Sequence, residues 1–284
     1  MARPESIPFS SVTCSVTVGQ RAFRVAIEAP IELAIPLAFN GPQPTLYGVP
    51  PAEGRAYQDG AFVGDTRRGG SCNFETYTLT PHCNGTHTEG AGHLTHARLS
   101  LHATPPPPLI PATLITLVPE EAVHSPDTYD PPIRATDLFL TRRALQEALQ
   151  EADTEFLAAL VIRTLPNDAT RISRDYGVQT PPFFSLEAMA YLRSLNIQHL
   201  LVDLPSVDRL FDEGKLANHH CFWDLPPGSH SVQEDGPSPR TITEMIYVDN
   251  AVPDGPYVLN LQVPRLITDA VPSRPLLFRL HERP

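Results

Sequence analysis

The sequence predicts a mixed α/β or α+β domain built in layers. Three observations carry that assignment. Alternating or continuous apolar runs dominate the first half, helix and strand signals alternate in the second, and 32 prolines among 284 residues cut the chain into short segments. A chain of this length buries a substantial core, and residues 1–284 are read as one domain. It shows no internal repeat or heptad pattern.

Taken in order, residues 12–17 and 21–35 (VTCSVT, RAFRVAIEAPIELAI) run or alternate apolar, as strands do. Residues 36–71 are rich in glycine, proline and polar side chains and predict a long surface excursion. Strands are expected at 74–80 and 109–118, separated by a histidine-containing stretch and a proline-rich break at 104–108. Thr141 is a candidate N-cap for a helix whose Leu145, Ala148, Leu149 and Ala152 share one face. FLAALVIRTL, 156–165, is apolar enough for a strand covered on both sides. Ser185 predicts a second helix to about Leu195, burying Leu186, Met189 and Ala190, before a buried strand at 199–204. Strands at 243–249, 257–263 and 275–280 complete the expected set.

Composition excludes several classes of function. With 21 Lys+Arg against 32 Asp+Glu the formal net charge is -11, which repels a phosphate backbone, so nucleic acid is not an expected partner. No apolar run reaches the roughly 18 residues of a membrane span, and MARPESIPFS lacks the order of a secretory leader. A soluble, cytoplasmic protein is expected. Cys14, Cys72, Cys83 and Cys221 are scattered rather than crowded, so reduced thiols are the expectation.

The stretch PHCNGTHTEGAGHLTH, 81–96, packs four histidines, a cysteine and a glutamate among small residues. Its glycines and threonines let the backbone fold tightly. In an extended segment Cys83, Gly85, His87 and Glu89 share one face, so Cys83, His87 and Glu89 converge on one cation while His82 points the other way. Thiolate, imidazole and carboxylate together suit zinc better than manganese or iron. Histidines in such a segment are as often surface or hydrogen-bonded residues, so a metal site, a proton-transfer site and a polar loop all remain open on this stretch alone.

CNGTHTEGAGH, 83–93, resembles a variant of the His-x-Gly-Thr-His-x-Asp-x-Pro-x-His signature of the cyclase-like metal-dependent hydrolases, which include bacterial kynurenine formamidase and isatin hydrolase. ALVIRTL (159–165), LLVDLPSVDR (200–209) and IYVDN (246–250), followed by YVLNLQVPRL, are similar to further segments of that family in the same order. The resemblance implies a compact β/β/α layered domain of the cyclase-like (swivelling) type, assembled as a homodimer or larger homo-oligomer. It also implies one or two divalent ions, zinc or alternatively manganese, held by Cys83, His87, Glu89, a distant histidine and a distant carboxylate. His219 fits the histidine best, with His220 as its alternative, and Asp249 takes the carboxylate position. His93, last in the motif, is implied as the proton-transfer residue, with Glu89 beside it in the catalytic set.

Four positions depart from the family pattern: cysteine at 83 for histidine, Ala91 for proline, Glu89 for aspartate and Asp249 for glutamate. One carboxylate arm gains a methylene and the other loses one, which predicts an ion displaced toward Asp249. Hydroxide made available at such an ion would attack an amide, formamide or cyclic amide carbonyl. Two rival readings follow from the same residues: a catalytically altered family member acting as a metal- or ligand-binding module, and a thiol enzyme with Cys83 as nucleophile and His87 or His82 as base. Ser206 and Asp208 are read as pinning a loop near the site. Trp223 beside Phe222, and the proline-rich residues 41–52, are candidates for an apolar substrate wall, with ordinary packing as the alternative.

Overall fold

A computed structural model describes residues 12–177 and 180–282; the N-terminal decapeptide weighed above as a leader lies outside them. Nine strands form the main sheet: β1 (Ile31–Glu32), β2 (His87–Glu89), β3 (Ile110–Leu117), β4 (Ala159–Thr164), β5 (His199–Val202), β6 (Thr241–Glu244), β7 (Gly255–Asn260), β8 (Ala270–Pro272) and β9 (Leu276–Phe278). Their spatial order is β8-β2-β6-β5-β4-β3-β7-β9-β1. The four central strands β6, β5, β4 and β3 run parallel, and antiparallel strands extend the sheet on both sides. The sheet is curled into a half-barrel with few helices, the mixed α/β architecture expected.

Strand β4 shows why the central sequences are continuously apolar. Leu160 and Ile162 face one core and Ala159 and Val161 the other, all four fully buried. The first core is closed by α1 (Arg142–Ala148), α2 (Leu186–Ser194) and α3 (Ala217–Phe222). The second joins Leu114, Leu201, Tyr257 and Leu277 to the segment after β6, through Ile246 and Val248. No helix among the described residues is long and apolar enough to cross a membrane.

Both predicted caps form: the Thr141 hydroxyl accepts from the Ala144 N–H and the Ser185 hydroxyl from the Ala188 N–H, each at 3.1 Å. The buried face of α2 is Ala188, Met189 and Leu192 rather than the expected Leu186, Met189 and Ala190, and Ala190 is exposed. On α1, Leu145 and Leu149 are buried but Ala148 is exposed. The predicted strand 21–35 is broken by a turn in which the Ala29 N–H donates to Ala26 O (3.2 Å). Helix α3 had no counterpart in the sequence reading. The excursion at 36–71 carries short hairpins, with Glu53–Ala56 pairing with Glu75–Thr78 and Gln58–Asp59 with Phe62–Val63. The strand expected at 243–249 ends at Glu244, because Met245 turns the chain with a left-handed φ of 53°.

The loop after β5 carries Asp208 and Arg209 and is clamped from below. The Arg209 guanidinium donates to Asp137 Oδ2 (2.9 Å) and Pro132 O (3.0 Å), with both partners of the ion pair 1% exposed. Removing one member strands a buried charge, so Asp137→Ala is expected to cost about 3–5 kcal/mol. Removing the α2 cap in Ser185→Ala should cost only about 1 kcal/mol. Urea unfolding of the two variants beside the parent checks the order; equal losses would remove the clamp from this account.

Candidate metal centre

The site begins with a strand register. Antiparallel pairing of β2 on β6 sets His87 opposite Glu244 and Glu89 opposite Ile242, so both acidic side chains and the imidazole project from one face. On the reverse face the Thr88 hydroxyl meets those of Thr243 and Ser273, each at 2.8 Å, which ties β2 to β6 and to the strand β8. Just upstream, Gly85 adopts φ 111°, a conformation that favours glycine. Thr86 then accepts from the Ile35 N–H (2.8 Å) and donates to Met245 O (2.5 Å), fixing the turn beyond Glu244 against the start of β2. Gly92 admits no side chain, since a Cβ there would sit 1.9 Å from Leu99 O.

Two triads of ligand-type atoms share Glu89: His82, Glu89 and His93, and His87, Glu89 and Glu244, the atoms of each lying within 4.8 Å of one another. His87 is wholly buried. Its Nδ1 donates to Gly85 O (3.0 Å), which leaves Nε2 as an acceptor with no hydrogen-bond partner among the described residues, 3.5 Å from Glu244 Oε2. Burial pushes the His87 imidazole down to about 4, against the pull of Glu89, so it is neutral at ordinary pH. Burial and the neighbouring Glu89 charge push the Glu244 carboxyl up to about 8, although the Val207 N–H donates to its Oε1 (2.9 Å).

Glu89 goes the other way. Burial alone would raise its carboxyl, but the positive charges of His93 and His219 and the hydrogen bonds from His219 and His82 hold it well below the usual range. His219 Nε2 lies 2.9 Å from Glu89 Oε1 and 3.7 Å from Glu244 Oε1. Its Nδ1 is held at 2.6 Å by Asp208, which also accepts from the N–H groups of Asn218 (2.8 Å) and His219 (3.1 Å) and from the Tyr129 hydroxyl (2.7 Å). Burial would lower the His219 imidazole; Glu89 and Asp208 outweigh it and hold it well above its ordinary value. The reading of Asp208 as a residue that pins rather than reacts agrees with this geometry.

His82 bridges two carboxylates, with Nδ1 2.9 Å from Glu89 Oε2 and Nε2 3.0 Å from Asp269 Oδ2. Burial lowers it, but these two hydrogen bonds prevail and raise it to about 10. His93 stacks on His82 at 4.2 Å between ring centroids and brings Nδ1 to 3.6 Å from Asp269. The hydrogen bond from His82, with the His93 ring close beside it, depresses the Asp269 carboxyl strongly.

Of the residues named from sequence, the fold brings His87, Glu89 and His93 into the two triads; His219, expected as a ligand, is hydrogen-bonded to Glu89 but belongs to neither triad, and Cys83 and Asp249 are also left out of both. Cys83 packs with Leu46, Tyr176 and Leu210 and offers its sulfur to neither triad; burial followed by Glu244 raises its thiol to about 11, which disfavours it as a free nucleophile. His82 takes part instead, contrary to the alternation argument. Residues 81–86 are turn rather than strand, with the Cys83 and Asn84 N–H groups both donating to Thr80 O, and the two-residue period starts only at His87. Asp249 is an exposed turn residue whose carboxylate accepts from the Ala251 N–H (2.8 Å) and whose carbonyl accepts from Arg163 (2.8 Å). The acidic arm is Glu244, on the strand itself, so the expected displacement toward Asp249 has no footing. His220 is buried beside His230, with Nδ1 unpartnered, and does not enter either triad. Trp223 is 1% exposed and lies 5.3 Å from the His219 ring and 6.3 Å from that of His93, so it packs behind them rather than forming an open wall.

The Cyclase family model matches residues 25–209, more than half of the chain. Among solved structures, one described as a potential metal-dependent hydrolase with cyclase activity superposes with a TM-score of 0.56 at 15% identity, covering 88% of this chain and 97% of that one. Isatin hydrolase A from Labrenzia aggregata, bound to benzyl benzoate, gives 0.54 at 15% identity over 88% of this chain and 93% of its own. Isatin hydrolase A from Ralstonia solanacearum gives 0.55 at 15% identity, with 88% and 91% covered. No curated protein matches significantly. At such identities the structural likeness speaks for the fold, and the match along the sequence speaks for descent: the chain belongs to the Cyclase family.

Proposed function

We propose that this protein is a metal-dependent hydrolase of an amide, formamide or cyclic amide. The observation that carries the reading is the buried His87 Nε2, a neutral acceptor without a partner, aimed at a carboxylate whose proton is held by a second carboxylate beside it. Such a group costs stability unless something electron-poor meets it. A divalent cation fits: His87, Glu89 and Glu244 offer one nitrogen and two oxygens, and His82 and His93 extend the set around Glu89. The donors are imidazole and carboxylate, which suit zinc and manganese alike, so the preference for zinc that rested on sulfur no longer applies. Two triads joined at Glu89 provide for one ion or two.

Bound there, the cation supplies a Lewis acid for the carbonyl and water acidic enough to react near neutral pH. The chain's own residues do the rest. Gly85 O fixes the His87 tautomer, and Asp208 fixes the His219 ring so that Nε2 faces Glu89. His93, whose side chain is 26% exposed and turns Nδ1 to Asp269, would pass a proton to the leaving nitrogen through Nε2. The isatin hydrolases among the structural neighbours support a cyclic amide as one substrate type.

Glu244→Gln is expected to weaken cation binding by more than about tenfold, whereas Asp249→Asn and Cys83→Ser leave it unchanged. Metal content after dialysis, by elemental analysis, checks the contrast; loss of metal in Asp249→Asn alone would overturn the assignment. His93→Ala should keep its metal and lose about a hundredfold or more in kcat on N-formyl aryl amines or cyclic amides, and a chelator should abolish turnover in the parent. Unaltered turnover in His93→Ala would count against the proton role.

The metal-free protein should also carry a pH signature. Folding raises Glu244 to about 8 and His82 to about 10, so the folded state binds protons more tightly than the unfolded chain. Their contribution is complete below the unfolded values and is lost as pH rises through the folded ones. The melting temperature of chelator-treated protein is therefore expected to fall between pH 7 and 9, and Glu244→Gln to flatten part of that fall. A melting temperature that rises over this interval would contradict the site's electrostatics.

A further inference from the structure

A cavity of about 360 Å³ borders the site on its His93 and Asp269 side. Its volume lies within the range that takes a small organic ligand. Leu94 and Leu216 contribute apolar lining, and Arg98, His96 and His230, all three exposed to solvent, contribute basic lining. Arg98 makes no ion pair and no side-chain hydrogen bond among the described residues, although the chain as a whole carries a net charge of -11. It also holds a left-handed φ of 48°, a conformation that costs an arginine energy and is retained here at the cavity edge.

The two histidines are fixed relative to Arg98. The His230 ring donates through Nδ1 to Leu94 O (2.7 Å), and the His96 N–H donates to His230 O (3.0 Å). This pins the segment 94–98 to the loop around 230 and leaves the rings 5.2 Å apart. His230 Nε2 therefore has no hydrogen-bond partner among the described residues. The carboxylates near the site are already occupied: Asp269 and Glu89 are bridged by His82. An exposed guanidinium without a counter-ion among the described residues, in a cavity that also has apolar lining, can bind a carboxylate on an apolar body by charge-assisted and bidentate hydrogen bonds.

We propose that this cavity is the substrate subsite and that Arg98, flanked by His96 and His230, recognises a carboxylate on the substrate. The amide cleaved is then one that bears an acidic group on an apolar or aromatic frame, with its carbonyl presented to the His93 side. The inference rests on the hydrolase reading for what the subsite serves, and on the cavity alone for what it binds.

The test is equilibrium binding of benzoate and of its neutral isostere benzamide to the metal-loaded protein and its Arg98 variants, by calorimetry. Benzoate is expected to bind the parent about tenfold or more tightly than benzamide. Arg98→Ala should bring the two together, and Arg98→Lys should restore part of the difference; the same titrations on chelator-treated protein separate benzoate held at Arg98 from benzoate held by the cation. Among substrates, the kcat/KM ratio of a carboxylated amide over its neutral analogue should fall by a similar factor in Arg98→Ala. Benzoate binding that is absent, or the same in parent and Arg98→Ala, overturns the inference and leaves the hydrolase reading untouched. Conversely, Arg98-dependent benzoate binding in a protein that hydrolyses no amide supports the subsite and sinks the hydrolase reading.

Discussion

Two carboxylates, Glu89 and Glu244, share one buried face of the sheet, and everything around them answers that fact. Two negative charges at this depth cannot both persist without compensation. The fold resolves the conflict asymmetrically. Glu89 receives hydrogen bonds from two histidines and stays ionised, while Glu244 receives one backbone N–H and keeps its proton to about 8. A cation would settle the same imbalance in one stroke, which is why the metal reading and the charge pattern point to the same place.

Support for this arrangement extends well beyond the atoms that touch it. A chain of contacts runs from Asp137 to Arg209, from the Arg209 N–H to the Tyr129 hydroxyl, and on through Asp208 and His219 to Glu89. Each link is buried, so each is geometrically committed. The Asp208 carboxylate satisfies the first N–H groups of α3 as well as the ring of His219, which makes one side chain responsible both for where that short helix starts and for where its imbalance of charge is directed. Rigid backing of this kind is what holds ligand atoms within tenths of an ångström of a working geometry.

Much of this was legible in the sequence, and the failures are instructive. The caps at Thr141 and Ser185, the doubly covered strand β4 and the pairing of His87 with Glu89 across a two-residue step all follow from local periodicity, and local periodicity holds there. His82 was misplaced because the same period was extended into residues 81–86, where the chain turns. Asp249 follows from the likeness of IYVDN to a family segment, whereas the strand that carries the acidic arm ends at Glu244, where the left-handed backbone of Met245 turns the chain in a way no alternation rule foresees. Writing the TITE strand alone against HTE in antiparallel register would have set Glu244 beside His87. Asp269 gave no local signal at all; it joins the site only because β8 pairs with β2 across 187 residues from His82.

That last pairing bears on how the protein comes into being. His82 and Glu89 leave the ribosome early, yet Asp269, the second carboxylate that His82 bridges, and the edge strand beside it arrive only after some 180 further residues, on the order of ten seconds or more of synthesis. Until then the nascent chain exposes an unpaired edge of β2. Completion of the centre is thus a late, long-range event, and cells producing this protein face a window in which a half-built sheet must be kept from finding the wrong neighbour.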